Sequence, residues 1–257
     1  MKIAYLMDPL ESIQPENETT SHLMYESNER GHTVYFLEAH DVYIRSGQVV
    51  ARMRNISAEP GLGMERYWQA IIRCAKQEHL VFEAVTELDV LFLRSNPPLN
   101  YQVMEFMQAA NNHVFILNST TGQVLGNSKL YTLNFPDIIP ETHVSRDPSR
   151  LRKIIDDFGG DMVVKPLQRY GGEGVIKVST RDKTNLNSLI HYYVRAYKTY
   201  AQREPIMVQE YLKSVKKEGD VRILLLNGDI IGAMRRKPKK GDFRTNVHAG
   251  GEVLAHQ

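Results

Sequence analysis

The sequence predicts an α/β protein in two parts. A mostly parallel sheet with helical crossovers comes first, over residues 1–118, and a part built on antiparallel strands follows. Three observations predict it. Apolar strand-like runs alternate with helical patterns up to Asn118. A glycine loop, Tyr170-Gly171-Gly172-Glu173-Gly174, separates two strand-like runs at 162–178. Asn227-Gly228 separates two more and is the strongest short-range hairpin signal.

In the first part, Lys2 to Met7 reads as a strand and 21–30 as a helix with Gly31 as its C′ stop. Thr33 to Leu37 is a second strand. Val42-Tyr43-Ile44 and Val49-Val50-Ala51 flank Ser46-Gly47 as a hairpin. Tyr67, Trp68, Ile71, Ile72 and Ala75 recur at helical spacing within 65–79. Asp89 to Leu93 is a buried-type strand, stopped by Pro97-Pro98. A helix near 100–111 leads to the strand Val114 to Asn118. Ligands of such sheets bind beyond the carboxyl ends of the strands. Asp8 and Arg94 stand at two such ends, where a turn or cap role fits them as well as a ligand does.

In the second part, Asn127-Ser128-Lys129-Leu130 is a short helical or loop segment, and 137–141 is a loop. Asp147-Pro148-Ser149 starts a helix, with Asp at the N-cap and Pro at N1, that ends at Gly159-Gly160. Strands follow at 162–167 and 175–178, a helix over about 184–202, a strand at 206–212, and the hairpin 220–226 with 230–235. The tail from Lys237 is polar and glycine-bearing.

Composition narrows the function. The 257 residues make one or two domains, and 42% hydrophobic with 24% charged residues argues against wholesale disorder. No run approaches the roughly 18–20 apolar residues of a membrane span. The apolar run at the N-terminus is too short for a signal-peptide core and ends at Asp8. The single cysteine, Cys74, forms no internal disulfide and fits a reducing compartment. The expectation is a cytoplasmic protein with no membrane partner. Net charge is +2, yet residues 213–244 hold ten Lys/Arg against four Asp/Glu, a net of +6. That segment reads either as a solvated loop or as a site for an anionic ligand. It lacks interleaved aromatics, so no nucleic-acid partner is expected.

The glycine loop fits neither the Walker pattern nor the dinucleotide fingerprint, because no helix opens after it. Between antiparallel strands, such a loop is either a plain hairpin or a cover whose backbone N–H groups approach phosphate. Lys165 tips the balance, since a lysine inside Val163-Val164-Lys165-Pro166 is expensive to bury unpaired. Gln209 to Leu212 offers backbone groups and a carboxylate suited to an adenine edge and a ribose hydroxyl. Asp220 and Arg222 share one face of the next strand.

Together these residues resemble the ATP-grasp superfamily and, more closely, the bacterial-type glutathione synthetases. The resemblance covers nearly the whole chain. Its marks are Met7-Asp8-Pro9, Asp41-Val42-Tyr43 with Gly47, Arg94 to Pro98, Asn127 to Leu130, and Pro140-Glu141-Thr142. Later marks are Lys165-Pro166-Leu167 with Gly171-Gly172, Gln209 to Leu212, Gly219 to Arg222, and Arg236 followed by Arg244-Thr245-Asn246 and Ala249-Gly250-Gly251. It implies a substrate domain at 1–118, an ATP-grasp first lobe at 119–203, and a partial second lobe with a lid at 204–257. It implies that ATP converts the C-terminal carboxylate of γ-glutamylcysteine to an acyl phosphate, which the glycine amine attacks to give glutathione. ATP would be held by Lys129, Lys165, the loop Gly171, Gly172, Glu173 and Gly174, the segment Gln209, Glu210, Tyr211 and Leu212, and Asp220. Arg222, Arg236 and Arg244 would hold peptide carboxylates and acyl-phosphate oxygens, with Asn246, Gly250 and Gly251 helping to position them. Residues 237–249 would close as a lid that keeps out water.

The sequence departs from the family at two places. Ser95 and Asn96 stand where the family commonly has a basic residue and Asp. Family members also continue past the Ala-Gly-Gly element with an Asp, a Glu and an Asn that hold Mg²⁺. Only Asp242 and Glu252 follow residue 230 here, so the resemblance puts the metal ligands beyond Gln257 and leaves apolar surface open on the second lobe. A fragment is the first expectation. A degenerate member that binds nucleotide or peptide without turnover, or a site completed by another chain, stays open. So does another ATP-grasp carboxylate–amine ligase, and so does a homo-oligomer.

Overall fold

The computed structural model describes residues 1–77, 81–82, 84–110, 112–181, 185–186, 188–190, 192 and 204–255. They form two compact units, Met1–Asn127 and Ser128–Gln257. No helix among them is long and apolar enough to cross a membrane.

The first unit runs β1 (Lys2–Leu6), α1 (Thr19–Glu29), β2 (Thr33–Leu37), β3 (Val42–Arg45), β4 (Gln48–Ala51), β5 (Met53–Asn55), α2 (Met64–Ala75), β6 (Val81–Phe82), β7 (Val90–Leu93), α3 (Tyr101–Ala110), β8 (Phe115–Leu117) and α4 (Thr120–Gly126). Six strands make one sheet in the order β6-β5-β2-β1-β7-β8. The pairs β1–β2, β1–β7 and β7–β8 are parallel. The sheet expected to be mostly parallel therefore has an antiparallel edge, β5–β6, that the sequence reading missed. β5 is only Met-Arg-Asn and β6 two residues, too short for either to show an alternation.

Strand alternation explains the continuous apolar runs. Ile3 and Tyr5 enter a core with Val34, Phe36, Met24, Tyr67, Trp68 and Ile71, whereas Ala4 and Leu6 enter another with Tyr35, Leu37, Leu91, Met104 and Met107. A sheet covered on both faces needs apolar residues on both. The β3–β4 hairpin turns at Ser46 and Gly47, both with positive φ. Asp41 is buried, accepts from the Glu38 N–H, and takes two bonds from Arg54 at 2.7 and 3.1 Å. Helix α4 packs on α3, so the first unit takes in residues beyond 118.

The second unit runs β9 (Thr142–Ser145), α5 (Pro148–Phe158), β10 (Asp161–Pro166), β11 (Ile176–Ser179), β12 (Ile206–Glu210), β13 (Asp220–Leu226), β14 (Asp229–Lys237) and β15 (Glu252–Ala255). Asp147 caps α5 by accepting the Ser149 N–H at 2.8 Å, and Gly159 ends the helix in the left-handed conformation, as the sequence predicts. One antiparallel sheet is ordered β11-β10-β12-β9 and another β13-β14-β15. Leu151 and Ile155 of α5 pack on Met162, Val164, Ile206 and Val208, leaving the opposite face of β10 and β12 for Val163, Lys165 and Gln209. Most of the helix expected over 184–202 lies outside the described residues; Leu186 and Ile190 in that stretch are buried in this core. Ile223, Leu225, Leu226, Ile230 and Ile231 on the β13–β14 hairpin are all more than half exposed.

Candidate active site

The free face of β10 and β12 floors a cavity of about 350 Å³, within the range of small-ligand sites. Val163, Lys165 and Gln209 line it, with Lys129, Pro140, Val175 and Tyr211 around them. Lys165 Nζ donates to Gln209 Oε1, whose amide donates on to Thr142 Oγ1 at 2.7 Å. Lys129 begins a short 3₁₀ segment and turns its ammonium onto the end of β10, donating to the carbonyls of Pro166 and Arg169 at 2.6 Å each. Neither lysine has a carboxylate partner among the described residues. Burial holds the Lys129 ammonium below its ordinary value, and the charge of Lys165 adds to the effect. Burial alone holds Lys165 down. Two half-buried, mutually repelling ammonium groups beside an empty volume make a hole for an anion.

The glycine loop lies between β10 and β11, and the segment after β14 packs on it. Gly172 has φ +83°, and a Cβ there would come within 2.7 Å of Asn246 Oδ1. Arg244 Nη1 approaches the Gly172 carbonyl at 3.4 Å. His248 lies against Gly171 and meets the Tyr170 ring edge-on at 6.4 Å. Gly251 lets the chain pass the Thr245 carbonyl, which a Cβ would approach to 2.2 Å. At the far end Phe243 meets Tyr211 edge-on at 6.0 Å, while Lys177 sits 4.2 Å over the Tyr211 ring and pairs with Asp161 at 2.8 Å. β12 stops at Glu210, so beyond it the Leu212 N–H has no acceptor among the described residues.

Two carboxylates near the cavity, Asp220 and Asp242, are held by arginines. Asp220 takes Arg236 Nε at 2.8 Å, Arg236 Nη2 at 2.6 Å and Thr245 Oγ1 at 2.7 Å. Burial pushes the Asp220 carboxyl up, but the bonds from Arg236 and Thr245 outweigh it and hold it low. Asp242 takes Arg244 Nη2 at 2.7 Å and the Phe243 N–H at 2.7 Å, and these bonds from Arg244 keep its carboxyl far below the usual range.

Of the residues singled out in the sequence, Lys129, Lys165, Gly171, Gly172, Gln209, Glu210, Tyr211, Leu212, Asp220, Arg244 and Asn246 line this one cavity. Glu173 lines an adjoining opening of about 470 Å³ with Tyr170 and His248. Gly174, Arg222, Arg236, Gly250 and Gly251 are not in the lining. Arg222 is exposed on β13, and Arg236 reaches the cavity only through Asp220. Phe243 and Thr245 also line this cavity and His248 the adjoining opening; they fall within the stretch 237–249 expected to form a lid, but were not singled out as site residues.

The lysines and glycine loop fit a nucleotide triphosphate. A metal ion is different. Among the described residues no three His, Cys, Asp or Glu side chains gather as a metal site. Asp220 and Asp242 are tied to arginines. These residues do not make a metal site, and no role proposed for them runs through one.

An antiparallel sheet with a glycine loop over its cavity face, followed by a second antiparallel sheet, is the ATP-grasp arrangement. Solved structures share it. D-cycloserine synthetase DcsG superposes with a TM-score of 0.60 at 11% identity, over 100% of this chain and 76% of that one. A RimK domain ATP-grasp protein from Sphaerobacter thermophilus gives 0.58 at 14%, over 92% and 73%. The ATP-grasp ligase PsnB, solved with Mg and ADP, gives 0.54 at 17%, over 98% and 75%. At these identities the likeness is one of fold. Sequence carries the assignment further: the prokaryotic glutathione synthetase N-terminal domain matches residues 1–122 and the ATP-grasp domain of the same enzymes matches residues 128–257. The chain belongs to the prokaryotic glutathione synthetase family. Glutathione synthetase of Synechocystis sp. is 33% identical over 98% of this chain and 78% of its own length. That of Gloeobacter violaceus is 34% identical over 99% and 76%.

Proposed function

We propose that this chain joins γ-glutamylcysteine to glycine with consumption of ATP, and that the cavity of its second unit holds the nucleotide. Family membership supports the reaction. The single observation that carries the site is the pair Lys129 and Lys165, half-buried cations that have no carboxylate partner among the described residues and lie beside the glycine loop. Triphosphate oxygens would supply a counter-charge. Gly171, Gly172, Glu173 and Gly174 cover the phosphates. Gln209, Glu210, Tyr211 and Leu212 hold the adenine, with the free Leu212 N–H at its edge, and Asp220 takes the ribose.

ATP supplies the phosphoryl group that turns the cysteinyl carboxylate into an acyl phosphate; the glycine amine then forms the C–N bond as phosphate leaves. Arg244 and Asn246, packed on Gly172, hold the acyl-phosphate oxygens, and Gly250 and Gly251 fix the backbone that carries them. Arg222 and Arg236 serve the peptide carboxylate. The lid residues keep water from the activated carbonyl. The test follows ADP and glutathione together in buffer containing Mg²⁺, with each substrate omitted in turn. ADP release that requires both γ-glutamylcysteine and glycine, with glutathione formed in equal amount, is the expected result. ADP release at an unchanged rate without γ-glutamylcysteine would overturn the reading.

A further inference from the structure

The sheet of the first unit has a reversal point between β1 and β7. These strands lie side by side, Leu6 opposite Leu93. From β1 the chain crosses through α1 to β2 on one side; from β7 it crosses through α3 to β8 on the other. The carboxyl ends of strands at such a reversal form a crevice in which open α/β sheets take ligands. Asp8 follows β1 there and Arg94 follows β7.

Both side chains are held ready, and neither is used up. Asp8 Oδ2 accepts the Asn96 N–H at 3.1 Å and Asn96 Nδ2 at 2.7 Å, while Oδ1 has no donor among the described residues. Arg94 Nε donates to the buried Thr20 Oγ1 at 2.9 Å. Neither Arg94 Nη has an acceptor among the described residues, and no carboxylate pairs with it. A half-buried guanidinium with a free edge suits a carboxylate. Thr20 lies in the first turn of α1, whose N-cap residue Glu18 makes no side-chain capping bond, so the positive end of that helix adds its field to the same place. Adjacent strands are about 4.8 Å apart, close enough for one ligand carbon to present a group to each side chain.

We propose that this crevice is a subsite for an α-amino-acid head group, its ammonium on Asp8 Oδ1 and its carboxylate on the Arg94 Nη groups. The proposal rests on the ligase reading, in which the ligand is the γ-glutamyl end of γ-glutamylcysteine. A γ-linkage leaves both the α-amino and the α-carboxylate group free on one carbon, which an ordinary peptide bond does not.

The test compares binding of three probes to the full chain by calorimetry: γ-glutamylcysteine, glutarylcysteine without the amine, and 4-aminobutyrylcysteine without the α-carboxylate. The parent is expected to bind each analogue about 10- to 100-fold more weakly than γ-glutamylcysteine, the scale of one charged hydrogen bond. Arg94→Gln should bind γ-glutamylcysteine and 4-aminobutyrylcysteine alike, yet still reject glutarylcysteine. Asp8→Asn should show the opposite pattern, and Arg94→Lys should recover part of the loss. If Arg94→Gln does not fold, Thr20→Val, which only loosens the guanidinium, carries the same comparison. Variants that bind ATP and keep the parent's full discrimination would overturn the subsite and leave the ligase reading standing. A parent that binds ATP but none of the three probes would overturn both.

Discussion

Lys165 stands on the cavity face of β10 because Val164, one residue earlier, stands on the core face. Its charge is therefore fixed by strand geometry in a place that water only partly reaches. A lysine whose ammonium is easier to deprotonate folded than unfolded costs stability below its folded pKa. The cost is relieved as pH rises through that value toward the ordinary 10.5. Without nucleotide, the parent should gain stability relative to Lys165→Met as pH rises toward the ordinary lysine value of 10.5. Saturating ATP favours the ammonium form and should abolish that relative gain. Urea midpoints of both proteins, with and without ATP, measure this; a relative difference that stays flat without ATP would show that the burial of Lys165 has no linked cost. The same substitution should weaken ATP binding about 10- to 100-fold, by the loss of one charged contact.

At the scale of elements, the segment proposed as a lid packs on the glycine loop through Arg244, Asn246 and His248. Gly172→Ala puts a side chain at φ +83° and a methyl against Asn246. It should destabilise the protein by more than about 1 kcal/mol in denaturant unfolding and weaken ATP binding as well. A stability loss with unchanged ATP affinity would mean that the lid contact does not shape the nucleotide site. This contact was half legible in the sequence. Arg244 is singled out only by the family resemblance, whereas the glycines and Lys165 stand out because each residue type is costly or unusual where it falls. Phe243, Thr245 and His248 do not, since their place depends on a chain that returns to the glycine loop some seventy residues later. The same division runs through the fold. Caps and turns such as Asp147, Gly159 and Asn227-Gly228 are local chemistry and were readable. β9 (Thr-His-Val-Ser) and β15 (Glu-Val-Leu-Ala) are too short and mixed to show a period, and they become strands only by pairing with β12 and β14.

At the scale of the whole molecule, the groups proposed to hold phosphate all lie in the Ser128–Gln257 unit, while the proposed Asp8–Arg94 subsite lies in the Met1–Asn127 unit. A ligand that binds only the folded state stabilises what it binds by mass action, about 2.7 kcal/mol at one hundred times its Kd. Hydrogen exchange therefore resolves the two sites in one protein. ATP alone should slow exchange by up to about 100-fold in β10, β12, the glycine loop and residues 243–249, and leave β1, β2 and β7 as they were. γ-Glutamylcysteine should then add protection at residues 8–20 and 94–96. Equal protection of both units by ATP alone would mean that the nucleotide is not confined to the second. Protection of the second unit by both ligands, with no change near Asp8 and Arg94, would place the whole of peptide recognition there.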